Sequence, residues 1–474
     1  MKLSQAGENT NQFSSPCEIL REGAALFFIG IGGVSMSALA VLAKEQGYRV
    51  GGSDRSASHF TEMLSDEGIP VHIGHAKENV HGYDAIIYNA AIGDENPEFA
   101  EARALGLPRI YRADFLTYLM RGYQNGIGVA GMHGKSTTSA MLSHLFLYAK
   151  RDPAILIGAE LPELGRDFHA GRGDDFIFEA CEYKDSFLSF RPHVAIVLNE
   201  EMDHPDYFKS MEQIHTSFHR YLEIPGESGY IIINGDDDDV LESAMDCHGT
   251  TLTFGIQREN CDYFGKNITY ENGHAAFDVY KNGAFYAHIF LSVPGEHNVY
   301  NALACVAAAD ISGIDAKTVA DGIHTFVGAG RRMEYKGHLK NTDVTVPVYD
   351  DFGHHPSEIK TTLAGARRLG GKRLRCVYQP HTYSRTAALF DDFCRAFSDA
   401  DEVYFIDIYA AREQNTFGVS SEQLASNTPN ATYFASREAL FAHLCRSASD
   451  GDILVIMGAG DIARFANEIA QKDC

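Results

Sequence analysis

The strongest chemical signal in this chain is Gly128-Val-Ala-Gly131-Met132-His133-Gly134-Lys135-Ser136-Thr137-Thr138. An apolar run leads into it and a helical pattern leads out. Glycines allow backbone N–H groups to close around phosphate oxygens, and a helix N-terminus adds partial positive charge. Lys135 can reach the β- and γ-phosphates of a nucleotide, and the Ser136 hydroxyl can ligate Mg²⁺. The usual GxxxxGK[ST] pattern puts its first glycine where Val129 stands, with Gly128 and Gly131 on either side.

Two further groups follow later strands. Glu179 ends an apolar run and begins Glu179-Ala-Cys-Glu182, and Asn199-Glu-Glu-Met-Asp203-His204 follows another. Carboxylate, hydroxyl and water suit Mg²⁺, Mn²⁺ is an alternative, and imidazole is an acceptable extra ligand. Ser136, Glu179 and His204 are the expected metal ligands. Glu182, Glu200, Glu201 and Asp203 read equally well as caps or surface acids.

Near the N-terminus, Gly30, Gly32 and Gly33 form a second glycine loop, and Ser53 and Asp54 close the next strand. A dinucleotide-binding domain would carry such a loop. Ser35, at the last glycine of GxGxxG, weakens that reading. Residues 24–43 imitate a membrane span, but three glycines in the middle fit a buried strand, a turn and a helix better.

Short apolar runs alternating with helical patterns position these groups. Strands are expected at Ala25–Ile31, Tyr48–Gly52, Asp84–Asn89, Ile127–Ala130, Asp175–Glu179, His193–Asn199 and Gly229–Asn234. Further strands are expected at Val344–Tyr349, Arg373–Tyr378, Val403–Ile408 and Ile453–Met457. Residues 250–292 are β-like, with hairpin turns at Asn272-Gly273 and Asn282-Gly283. The pattern restarts twice. The expectation is an α/β chain of three domains: Rossmann-like at 1–123, a phosphate-loop mononucleotide-binding domain at 124–329, and Rossmann-like again at 330–474.

A formal charge of −24 argues against nonspecific binding to nucleic acid or anionic membranes. An anionic substrate must meet a local cluster of cations. Nine scattered cysteines without a CxxC pair, behind a polar N-terminus with no signal-peptide pattern, suggest reduced thiols in a cytoplasm.

From about residue 24 onward the chain resembles the Mur ligases, and within them those that join L-alanine to UDP-N-acetylmuramate. The markers fall in the family's order. They are Gly30-Ile-Gly-Gly33 with Met36-Ser37, Gly131–Ser136, Glu179-Ala-Cys-Glu182 with Ser186-Phe187, and Asn199 through His204. Then come Pro294–Asn298 with Asn301-Ala302, Gly330-Arg331-Arg332, Asp350–Pro356, Gln379-Pro-His381 with Arg385-Thr386, and Gly458-Ala-Gly460.

The resemblance implies that Gly30, Gly32, Gly33, Ser53 and Asp54 serve the UDP-sugar. It assigns Gly131 to Thr137, Asn298, Asn301, Arg331 and Asp351 to ATP, and Phe352, His381 and Arg385 to the amino acid. Capping of a helix is a competing role for Asn298. The implied reaction makes an acyl phosphate from ATP and a carboxylate, then an amide, with Lys135, Glu179, His204 and Arg331 as catalytic groups and Mg²⁺ as cofactor. His204 and His381 are candidates for the amine base. Its setting is peptidoglycan synthesis, in a monomer or homodimer. Met132 and Ser136 depart from the usual threonines, Cys181 from an acid, and Phe352 from a tyrosine, and Tyr183-Lys184-Asp185 also differ. Rival readings are a sister ligase that attaches a ready-made peptide, a nicotinamide-dependent oxidoreductase, and a non-catalytic UDP-sugar sensor.

Overall fold

A computed structural model describes residues 20–474 except 22, 90, 205, 206, 342, 343, 412 and 473. The chain forms two compact units. One holds the described residues up to Gln124 together with His169–Arg172; the other holds Asn125–Phe168 and Gly173–Cys474.

The first unit is built on a parallel sheet of β1 (Ala25–Ile29), β2 (Arg49–Asp54), β3 (Val71–Ile73), β4 (Ala85–Tyr88) and β5 (Arg109–Tyr111) in the order β3-β2-β1-β4-β5. Every residue of β1 is buried, as its unbroken apolar run requires when both faces are covered. The strand stops at Ile29 because Gly30 turns to φ +78°, and α1 (Val34–Glu45) follows. The glycine loop thus sits where the strand order reverses, the usual ligand position in an open α/β sheet.

The second unit contains two sheets. The larger runs β15-β14-β13-β12-β11-β10-β6-β9-β7-β8. Its strands are β6 (Asn125–Ala130), β7 (Ala154–Leu161), β8 (Arg166–His169), β9 (Asp175–Glu179), β10 (Val194–Val197), β11 (Tyr230–Asn234), β12 (Thr250–Gly255), β13 (Tyr263–Glu271), β14 (His274–Lys281) and β15 (Ala284–Pro294). β6 lies parallel between β10 and β9 and runs straight into the phosphate loop and α2 (Lys135–Tyr148). β13, β14 and β15 are antiparallel. Their turns are the two Asn-Gly pairs, with φ of +50° and +81° at Asn272 and Gly273, and +49° and +78° at Asn282 and Gly283. Positive φ at both central residues is what a type I′ hairpin demands. The same unit carries α3 (Met211–Leu222), α4 (Asp238–Ser243) and α5 (His297–Ile311). Alanines 302, 304, 307 and 308 of α5 are fully buried, so α5 packs closely into the core beneath the loop.

The smaller sheet runs β16-β17-β21-β18-β19-β20, from β16 (Glu334–Asn341), β17 (Val344–Asp351), β18 (Arg373–Tyr378), β19 (Glu402–Phe405), β20 (Ala431–Tyr433) and β21 (Asp452–Met457). β16 is antiparallel to β17; the printed pairings among the rest are parallel. Helix α6 (Pro356–Arg367) starts just past β17.

One expectation is corrected here. Cys445 and Cys474 form a disulfide rather than two free thiols, with Cα atoms 5.5 Å apart. The Cys474 amide donates to the Lys340 carbonyl at 2.9 Å, which pins the end of the chain to β16. The two cysteines lie 29 positions apart in sequence, so no short spacing betrays the pair.

Candidate active site

Gly134 caps α2 in the left-handed region at φ +83°, and a Cβ there would meet Asn301 Oδ1 at 2.8 Å. Glycine is therefore required by both conformation and space. Asn199, just past β10, holds the loop from the other side. Its Oδ1 accepts from the His133 amide at 2.8 Å, and its Nδ2 donates to the His133 carbonyl at 3.0 Å.

Lys135 folds back across the loop mouth. Its Nζ donates to the carbonyls of Gly131 at 2.5 Å and Met132 at 3.0 Å, and lies 3.0 Å from Glu182 Oε2. Burial alone would lower the lysine pKa, but Glu182, Cys181 and Glu179 outweigh it and raise it, so the ammonium stays charged. Burial would likewise raise Glu182, yet Lys135 and His204 hold it lowered. His204 Nε2 lies 3.2 Å from Glu182 Oε1. Glu182 is therefore the hub joining Lys135 to His204.

Glu179 ends β9 with its carboxylate accepting from the Gly158 amide at 3.1 Å. A hydroxyl from Ser136, a carboxylate from Glu179 and an imidazole from His204 make a donor set of the kind a hard divalent cation takes. Hydroxyl and carboxylate oxygens of this kind are donors that Mg²⁺ accepts.

The two consecutive arginines part company. Arg331 sits at φ +58°, its Nε donating to Asp350 at 3.1 Å and its Nη2 to the Gly458 carbonyl at 2.5 Å. Arg332 instead reaches the loop and donates to Ser136 Oγ at 3.1 Å. Arg332 thus lies against the loop, while Arg331, the residue expected at the phosphates, contacts Asp350 and Gly458. Both arginines contact the Phe352 ring, the Arg331 guanidinium at 4.9 Å and that of Arg332 at 5.2 Å from its centroid, as cations over an aromatic ring do.

A cavity of about 240 Å³ opens beside the loop. Its lining includes His133, Gly134, Thr137, Asn298, Asn301, Arg332 and Asp351. Asn298 is no cap: it lies inside α5, its Nδ2 donating to the Pro294 carbonyl at 2.7 Å and its Oδ1 accepting from Asn301 at 2.9 Å. Asp351 accepts from the amides of Met333 at 2.9 Å and Gly353 at 2.8 Å. Burial pushes its carboxyl up to about 6 against the pull of Arg332.

The acidic run after β10, undecided from sequence, divides into distinct contacts. Glu201 meets His133 and accepts from Ser357 Oγ at 2.9 Å. Asp203 Oδ1 faces Arg385 Nη2 at 3.6 Å, and although burial would raise it, Arg385 and His204 hold it at about 2. Glu200 turns away and accepts from Ser243 Oγ at 2.8 Å. His381 stacks on Tyr409 at 5.6 Å, and burial, then Arg385, lowers its pKa. Its Nδ1 is buried and has no hydrogen-bond partner among the described residues.

In the N-terminal unit, Asp54 Oδ2 accepts from the Gly32 amide at 2.9 Å and so shapes the glycine loop. Ser53 points inward: it is fully buried and donates to Glu98 Oε2 at 2.6 Å.

Sequence reading overlooked Arg332, Glu358 and Ser357 as site groups. Arg332 was hidden by its neighbour in the same motif. Glu358 lies one turn into α6, where its Oε2 accepts from the amides of His354 at 2.8 Å and His355 at 3.1 Å.

Fold and site together define an α/β protein whose second unit carries a phosphate loop at the end of β6. Three family descriptions match in chain order: "Mur ligase family, catalytic domain" at 26–124, "Mur ligase middle domain" at 129–309 and "Mur ligase, glutamate ligase domain" at 331–460. A UDP-N-acetylmuramate–L-alanine ligase from Clostridium perfringens is 43% identical over 442 residues, covering 92% of this chain and 95% of that protein. One from Acetivibrio thermocellus is 42% identical, covering 94% and 95%. The solved UDP-N-acetylmuramate–alanine ligase of Thermotoga maritima superposes with a TM-score of 0.76 at 25% identity, covering 94% of this chain and 98% of that one. The chain belongs to the Mur ligase family.

Proposed function

We propose that this protein joins L-alanine to the lactyl carboxylate of UDP-N-acetylmuramate in peptidoglycan synthesis, converting ATP to ADP and phosphate. Near-full-length relatives that carry this name support the reading. The observation that carries it is the Lys135 ammonium, held charged inside the loop by Glu182 at 3.0 Å.

A carboxylate is a poor electrophile and must first be activated. One carboxylate oxygen attacks the γ-phosphorus, the bond to the β-bridging oxygen breaks, and ADP leaves. The amine then attacks the acyl carbon, the C–O bond to phosphate breaks, and inorganic phosphate departs with that oxygen. The first step brings two anions together, so preorganised cations matter most there. Lys135 and Arg332 are the cations beside the loop; binding of the triphosphate would draw Lys135 from the loop carbonyls. Asn298, Asn301 and Asp351 would seat the nucleoside. Ser136, Glu179 and His204 would hold Mg²⁺, which supplies charge neutralisation on the phosphates. Arg385 would pair with the alanine carboxylate, and neutral His381 would take the ammonium proton through its unpartnered Nδ1. Gly30, Gly32 and Gly33 would meet the UDP pyrophosphate, with Asp54 keeping their loop in shape. We place the reaction in the cytoplasm; among the described residues no helix is long and apolar enough to cross a membrane.

The test is phosphate release with UDP-N-acetylmuramate, ATP and Mg²⁺, with alanine, glycine, serine or a tripeptide added in turn. Alanine should give the highest kcat/KM, and Lys135→Ala should stay folded with kcat reduced by about 10²–10³ or more. Preference for the tripeptide would move the assignment to a peptide ligase. Near-normal turnover in the variant would refute the mechanism.

A further inference from the structure

On the outer corner of the larger sheet, α3 and the segment leaving α4 bring together a thiol, an imidazole and a carboxylate. His219 and Glu223 lie one turn apart at the end of α3. Cys247 and His248 are consecutive residues four and five positions past the end of α4. None belongs to the site above. Cys247 Sγ lies 3.4 Å from His219 Nδ1, and ligand atoms of His219, Glu223 and Cys247 all fall within 4.8 Å of one another. His248 joins the group through Glu223, its Nδ1 2.9 Å from Oε2 and its amide donating to Oε1 at 2.8 Å.

We propose that His219, Glu223 and Cys247 form a binding site for a zinc-class divalent metal ion, with His248 available as a fourth ligand. A thiolate, an imidazole and a carboxylate are the donor types that zinc selects, and the thiolate disfavours magnesium and calcium. Zinc–sulfur and zinc–nitrogen bonds of about 2.3 and 2.0 Å in a tetrahedron set neighbouring S and N ligands about 3.5 Å apart. The 3.4 Å between Cys247 and His219 matches this edge. Two other donor groups meet the same 4.8 Å limit among the described residues. His215 spends its two ring nitrogens on different carboxylates, Nε2 on Asp239 at 3.1 Å and Nδ1 on Glu242 at 3.6 Å. His133, Glu201 and His355 belong to the phosphate-loop site.

The surroundings favour a cation. Asp246 and Glu227 add negative charge near the thiol and His248. Burial, then Glu223, raises the free thiol pKa to about 12, so the metal must displace one proton from sulfur to solvent as the metal–sulfur bond forms. His219 must also give up the contact of its Nδ1 with the Ser243 carbonyl at 3.0 Å. Once bound, the ion ties the end of α3 to the chain entering β12. It acts as a structural clasp remote from the chemistry.

The full-length protein, stripped of metal with a chelator and exchanged into chelator-free buffer, is titrated with Co²⁺ and, separately, Zn²⁺. The expected result is a thiolate-to-cobalt charge-transfer band that saturates at one equivalent, and a rise in Tm with Zn²⁺. Cys247→Ser should abolish the band, and His219→Gln should weaken Co²⁺ binding by about 10-fold or more. Both variants should keep the parent's ligase activity, which also shows that they fold. A protein with no such band, or a band undiminished in Cys247→Ser, overturns the proposal. Retained binding in both folded variants does the same.

Discussion

The Arg332 guanidinium donates to the Ser136 hydroxyl at 3.1 Å, and so carries a cation from the start of the smaller sheet to the first turn of α2. Its neighbour Arg331 pairs instead with buried Asp350 at 3.1 Å. The two arginines should therefore fail differently. Arg332→Ala should fold normally and lose about 10²-fold or more in kcat/KM for ATP. Arg331→Ala strands the Asp350 carboxylate and should lower stability by about 3 kcal/mol. Thermal melting beside phosphate-release kinetics separates the two outcomes. The reverse assignment of losses would place Arg331 at the phosphates.

Gly134→Ala tests the loop itself. The left-handed backbone at φ +83° costs an alanine about 1–2 kcal/mol, and its Cβ would press on Asn301. A lower Tm together with weaker ATP binding by calorimetry is expected. Unchanged affinity would mean that the nucleotide does not touch this turn.

Glu201 links the segment after β10 to α6, through Ser357 Oγ at 2.9 Å and His355 Nδ1 at 3.5 Å. Its carboxylate touches no substrate in the proposed reaction, so its effect is on position. Glu201→Ala should lower kcat by about 10-fold or more while the Kd for ATP changes little, because small displacements of reacting groups are costly. An equal loss in Kd and no loss in kcat would assign Glu201 to nucleotide binding.

Glu200 predicts a pH effect on stability. Burial raises its carboxyl to about 8, from an ordinary 4.5. Between those values the folded state binds the proton more tightly than the unfolded chain does. Stability contributed by this group is full at acid pH and falls as pH rises toward 8. Glu200→Gln keeps the Ser243 hydrogen bond and removes the charge. At pH above 8 it should exceed the parent's stability by on the order of 2 kcal/mol, and the difference should vanish near pH 4. Denaturant unfolding at both pH values checks this.

Much of this was legible in the sequence, for specific reasons. The phosphate loop and Lys135–Tyr148 were visible because glycine spacing and helical periodicity agree there. The Asn-Gly hairpins were visible because their turn demands those residues. Short strands such as Val71–Ile73 and Ala431–Tyr433 offer three residues each, too few to show a period. β16 was missed because Glu334–Asn341 is mostly polar and takes its place by pairing with β17. In the site, residue type pointed to Lys135 and Glu179. It could not divide labour between Arg331 and Arg332, adjacent residues of one type whose different contacts arise only in the folded chain. Nor could it sort Glu200 from Glu201, whose opposite directions depend on Ser243 and Ser357 from distant elements.

The central claim is that the sugar carboxylate is activated by direct transfer of the γ-phosphoryl group at the Lys135 loop. The most direct test uses UDP-N-acetylmuramate with heavy oxygen in its lactyl carboxylate, and mass spectrometry of the released phosphate after turnover with ATP and L-alanine. Transfer of one heavy oxygen into each phosphate is the predicted result. Amide product formed alongside unlabelled phosphate would contradict the account.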